Sequence, residues 1–166
     1  MYFKINKQDL MLQFERNGRE SFRRAIEEQK QNGIIHLVIP YAKEITVAHL
    51  QALEPKMDSI LKDCGSLTNL MEKLWEILGP IPGINQSVIN NNALLYAYIH
   101  DLDNDADCES LITDQGKVTL EELGIDIEEI RAEIRKMGKD ALSKRALVYF
   151  INQLNDKQQD YKYESR

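Results

Sequence analysis

Leu94-Leu-Tyr-Ala-Tyr-Ile-His100-Asp101-Leu-Asp103-Asn-Asp105-Ala-Asp107-Cys-Glu109 joins a stretch that is apolar nearly all round to a run of alternating acids. A helix over 94–100 has no polar face, and such a helix belongs at the centre of a fold. An anion at a helix C-terminus meets the negative end of the dipole, so the helix is expected to break near Asp101 and leave the aspartates in a loop. Residues 102–116 hold five acids and no base, which cannot be buried unpaired, so this loop is expected to be mobile and solvent-facing.

Working outward, the chain reads as about seven helices. Asn6 caps a first helix with Leu10, Met11 and Phe14 inward, which is expected to stop before Gly18. A second helix buries Phe22, Ala25 and Ile26 and closes at Gly33. Ile34-Ile-His-Leu-Val-Ile39 is β-branched and short and ends at Pro40; it is the one candidate strand, with a buried helical or extended segment as the alternative. Val47 to Cys64 keep a helical period through Pro55, as a kinked helix or two abutting ones. Ser66 caps a helix with Leu67, Leu70, Met71, Leu74, Ile77 and Leu78 inward, and Trp75 is also assigned to the core. The loop Gly79-Pro-Ile-Pro-Gly83 stops it and marks a layer boundary at 79–85.

Beyond the acidic run, Thr119 and Glu122 pattern as a capping box for one turn closed by Gly124. Asp126 and Glu129 pattern as another, for a helix that ends at Gly138. A last helix from about Asp140 to Asp160 buries Leu142, Ala146, Leu147, Phe150, Ile151 and Leu154, and residues 161–166 form a frayed tail. The expected fold is all-α: a single multi-helix domain over 1–160 with at most one short strand in its N-terminal third.

Charge is distributed unevenly. The formal net charge is −6, yet residues 101–133 carry twelve acids against two bases. Repulsion among these carboxylates opposes compaction and favours a cationic partner, while it argues against binding a phosphate backbone. No apolar run approaches the ~20 residues of a membrane span, and Cys64 and Cys108 form no CxxC pair. The expectation is a cytoplasmic protein that needs no cofactor and engages neither nucleic acid nor membrane.

Two motifs point to metal chemistry. Started at Asp103, an EF-hand loop finds Asp103, Asp105, Asp107 and Glu109 in its first four ligand positions, but Cys108 takes the place of the glycine and Leu111 and Asp114 fill the last two. Started at Leu111, it finds Gly116 and Glu122 in place but lacks its opening ligands. Each register satisfies half a motif, and a solvated acidic loop is the reading kept. Separately, Leu95-Tyr-Ala-Tyr-Ile-His100-Asp101-Leu102 resembles the His-Asp doublet of HD-domain phosphohydrolases, all-α enzymes in which two histidines and two aspartates hold a divalent metal that activates water. The resemblance implies ligands at His100 and Asp101, an upstream ligand at His49 and a distant one at Asp140 or Asp156. Asp103 stands where that family has glycine.

No glycine-rich phosphate loop, GxSxG or HExxH occurs. The leading expectation is a non-enzymatic acidic binding protein that covers a basic partner protein, in the manner of an inhibitor, an immunity or antitoxin protein, or a regulatory adaptor. Its partner-binding residues would be Asp101, Asp103, Asp105, Asp107, Glu109, Asp114, Glu121 and Glu122. The alternative is a metal-dependent phosphohydrolase of HD-domain type.

Overall fold

A computed structural model describes residues 6–38, 51–52, 55–56, 59, 63–80, 84–102 and 105–154. Among these the fold is all-α, without a strand. Helix α1 (Lys7–Gln13) passes through one π-helical turn (Phe14–Gly18) into α2 (Arg19–Val38), so the two form one rod. Then come α3 (Leu67–Leu78), α4 (Gln86–Ile99), a 3-10 helix (Asp105–Leu111), α5 (Asp114–Glu122), α6 (Ile127–Lys136) and α7 (Ala141–Asn152).

Helix α4 is the centre. Ten consecutive residues, Val88 to Ala97, are buried, and the helix packs against α2, α3, α7 and the 3-10 helix. Leu67, Leu70, Leu74 and Leu78 recur at spacings of three and four, which puts one stripe of α3 against it. Phe22 of α2 meets Tyr98 of α4 and Tyr149 of α7 edge-on, with ring centroids 5.9 and 5.4 Å away. One apolar cluster, from Leu10 to Leu154, draws on each of α1 to α7 and on the 3-10 helix.

Capping chemistry sets most helix starts. The side chains of Asn6, Ser66, Asn85, Thr113, Asp126 and Asp140 each accept from a backbone N–H in the first turn of the following helix. Asn6 with Asp9 and Asp126 with Glu129 complete reciprocal boxes.

Several expectations are corrected. Gly18 does not end α1: it sits inside the π turn, where an added Cβ would lie 2.5 Å from the buried ring of Phe14, so glycine serves close packing there. Gly33 does not end α2, and residues 34–38 are helix rather than strand. A helix satisfies its own backbone, whereas a lone strand has no partner, and that outweighs local β-propensity. Residue 39 lies outside the described residues. Helical positions at 51–52, 55–56, 59 and 63 fall within the helix expected before Gly65, and Cys64, expected as its last residue, is not helical; the rest of that helix, residues 81–83 of the 79–85 boundary, and the 161–166 tail are outside the described residues.

The expected loop over 102–116 is mostly helical among the described residues, with a 3-10 helix over Asp105–Leu111. Leu102, Cys108, Leu111, Ile112 and Thr113 are buried, and α5 begins at Asp114 under the Thr113 cap. Acids alternate there with apolar residues, and the apolar ones dock on the core. Thr119, expected as a cap, is a buried interior residue whose hydroxyl donates to the Gln115 carbonyl. Because 114–122 are helical, the second EF-hand register has no loop to close around an ion.

Candidate functional site

The acidic segment is held by a buried polar network that composition alone did not reveal. Asn90, Asn91 and Asn92 lie in α4 and Asn152 at the end of α7, all buried. The Asn152 Oδ1 accepts from the Thr113 N–H at 2.9 Å, and its Nδ2 donates to Asn91 Oδ1 at 2.8 Å and to the Leu111 carbonyl at 3.0 Å. Asn90 Nδ2 donates to the same carbonyl at 2.9 Å. Gln86 Oε1 accepts from the Asp114 N–H at 2.8 Å. Gly116 closes the corner: a Cβ there would meet Thr113 Oγ1, Ile112 and Asn152 Oδ1 at 3.1 to 3.4 Å. At the other end of the segment the buried Arg145 guanidinium donates to the Leu102 carbonyl at 3.0 Å. The sequence signal was available: three consecutive asparagines in an otherwise apolar helix must find partners inside.

The helix ends differ in a telling way. Helices α4 and α5 close with the two backbone bonds of a Schellman turn, Leu102 N to Ala97 O with Asp101 N to Tyr98 O and Ile125 N to Leu120 O with Gly124 N to Glu121 O, and α6 shows the inner of these bonds, Gly138 N to Arg135 O. The left-handed residue is glycine after α5 and α6, at φ 75° and 59°. After α4 it is Asp101, at φ 51°, the one non-glycine residue with positive φ among the described residues. A Cβ disfavours that backbone conformation, and the carboxylate adds a charge at the wrong end of the dipole. Helix α5 repeats the conflict with the exposed Glu121 and Glu122 in its last turn. Helix α6 obeys the usual order, with Glu128 and Glu129 first and Arg135 and Lys136 last.

The eight expected partner-binding residues are therefore spread over consecutive elements. Asp101 is exposed at the end of α4, and Asp103 lies outside the described residues. Asp105 and Asp107 are in the 3-10 helix, where only their backbone is described, and Glu109 is half-buried on it. Asp114, Glu121 and Glu122 lie with Lys117 and Val118 on the outward face of α5, opposite the buried Gly116, Thr119 and Leu120. Among the described residues none of Asp101, Glu109, Asp114, Glu121 and Glu122 forms an ion pair. The acids of α6 are more engaged: Glu128 pairs with Arg131, and Glu133 accepts from Lys7 at 2.9 Å across the fold.

His100 and Asp101 are adjacent and exposed, His49 and Asp156 lie outside the described residues, and Asp140 is engaged in capping α7 through Ser143. No group of three metal-ligating side chains comes together among the described residues. No helix among them is long and apolar enough to cross a membrane. Trp75, assigned to the core from its spacing, is 41% exposed.

Two carboxylates away from the acidic run are tuned by partners. The hydrogen bond from Lys7, reinforced by the Lys7 and Lys136 charges, holds Glu133 below its ordinary range against a smaller effect of burial. Asp140 is lowered by the Ser143 hydroxyl and backbone N–H, with Arg19 and Arg23 nearby. A depressed folded-state value gives stability that is present above the unfolded value, about 4.3 for glutamate, and is lost as pH falls through the folded one. Protonating the acidic run relieves repulsion over the same interval, so the sign is read by difference. Wild type is expected to exceed Glu133→Gln in urea midpoint at pH 7, with the gap closing towards pH 3. A gap independent of pH would contradict this pairing. Comparison with protein-family models, curated proteins and solved structures finds no match, so the role of this surface is argued from its own chemistry.

Proposed function

We propose that this protein binds a basic partner protein through the acidic surface running from Asp101 to Glu122, as a non-enzymatic inhibitor or adaptor. The observation that carries the reading is the placement of Asp101, Glu121 and Glu122: exposed, without an ion pair among the described residues, and at helix ends where each costs stability. Departures from local consistency that nothing inside the fold repays are expected where function sets the residue. Charges of one sign on a rigid support speed encounter with an opposite surface and select against acidic ligands such as nucleic acid. The Asn152 network supplies the support, by fixing the start of α5 to α4 and α7.

The test is capture of the partner by the full chain, followed by association kinetics across ionic strength. The expected partner is basic, and its association rate falls steeply with added salt. A partner of acidic or neutral surface, or a rate indifferent to salt, would remove the reading. Stoichiometric divalent metal in purified protein, lost on substitution of His100, would favour the phosphohydrolase alternative instead.

A further inference from the structure

Helix α3 carries two stripes. Leu67, Leu70, Leu74 and Leu78 face the core, fully buried. Thr68, Met71, Glu72 and Trp75, at spacings of three and four, line a groove of about 330 Å³ whose opposite wall is Ser110 and Leu111 at the end of the 3-10 helix. Trp75 is the sole tryptophan of the chain and stands 41% exposed on this groove. A large aromatic held partly in water on a packed helix leaves apolar area uncovered, and tryptophan is the residue most enriched at the energetic centres of interfaces. The charged residue lining the groove is an acid, Glu72, and the wall residue Ser110 directly follows Glu109 in the acidic run. Exposed acids attract a cation but hold it weakly in water, whereas an apolar seat beside one supplies residence time.

We infer that the Trp75 groove seats an apolar side chain of a basic polypeptide segment whose flanking lysines or arginines are balanced by Glu72 and the acidic run. The occupant is fixed by charge complementarity: an acidic rim repels phosphate-bearing ligands and anionic peptides, and an apolar floor gives a purely polar cation nothing to bury. This inference rests on the acidic-surface reading and adds the anchor to it.

Because Trp75 is the sole tryptophan, its fluorescence reports this groove alone. The full chain is titrated with three synthetic peptides of equal length: an amphipathic leucine/lysine helix, its leucine/glutamate counterpart and an all-lysine peptide. Binding is followed by anisotropy of labelled peptide and, separately, by Trp75 emission with unlabelled peptide. The leucine/lysine peptide is expected to shift Trp75 emission to the blue and to bind at least tenfold more tightly than the all-lysine peptide. Glu72→Lys, at an exposed position, is expected to weaken that binding fivefold or more with an unchanged thermal melt. An equal shift with the leucine/glutamate peptide would reduce the groove to non-selective apolar contact and overturn the inference. Salt-sensitive binding of both cationic peptides with Trp75 emission unmoved would overturn the groove while leaving the acidic surface standing. Failure of both cationic peptides to bind would overturn the two together.

Discussion

Asn152→Ala is expected to lower the unfolding free energy by about 3–5 kcal/mol, a large share of the stability of a domain this size. The side chain is 4% exposed and makes three hydrogen bonds. A hydrogen bond contributes only about 1 kcal/mol net, but deleting one partner leaves the other dry, at about 1–3 kcal/mol for each stranded group. Alanine strands the Thr113 N–H and Asn91 Oδ1, whereas the Leu111 carbonyl keeps Asn90. An apolar isostere does not rescue the site, because leucine offers the same stranded groups no partner. Asn152→Asp keeps the acceptor, loses the donor and places a charge in the core, so it is expected to be no better. Urea denaturation followed by circular dichroism gives the magnitude. Amide exchange gives the location, with protection lost first from Thr113 to Lys117. A loss under about 1 kcal/mol would mean that the network is incidental to the fold.

The helical class and most of the core were legible because both depend on local periodicity. The stripes of α1, α3 and α7 and the caps Asn6, Ser66 and Asp126 need only residues three or four apart, and each is found where the sequence placed it. Residues 34–38 stay open between strand and helix in the sequence because β-branched side chains describe a local preference, while the absence of a pairing strand is a property of the whole chain. Thr119 and Glu122 have the spacing of a capping box, yet Thr113 makes the cap, since the bond from its buried N–H to Asn152 fixes the helix start six residues earlier. Trp75 follows the helical period closely enough to pass for core, and only the position of the 3-10 helix shows that its stripe borders a groove.

For the candidate surface, the excess of acid was legible and its availability was not. Glu133 and Lys7 meet across the fold although they are far apart in sequence, so counting charge along the chain cannot separate an engaged carboxylate from an idle one. Nor does the sequence show that Asp101 takes the left-handed position that glycine holds after α5 and α6.

The second large effect follows from those positions. In Asp101→Gly combined with Glu121→Lys and Glu122→Lys, glycine relieves the left-handed backbone, partly offset by its own entropy, and the lysines suit the dipole of α5. Stability is expected to rise by about 1–2 kcal/mol, read from the urea midpoint at unchanged slope. The same variant reverses or removes three charges of the proposed surface, so its encounter with a cationic partner is expected to slow by about tenfold or more at low ionic strength. The dissociation rate should move much less, because long-range attraction acts before contact.

Gain of stability and loss of association are opposite signs from one set of substitutions, which a merely solubilising surface does not produce. The direct measurement is stopped-flow association of the captured basic partner with wild type and with this triple variant, at low and at physiological salt. The account predicts a variant slower by about tenfold at low salt, with the two rates converging as screening shortens the reach of the charges. A variant that associates as fast as wild type at low ionic strength would contradict it, and the acids at these helix ends would then have no part in recognition.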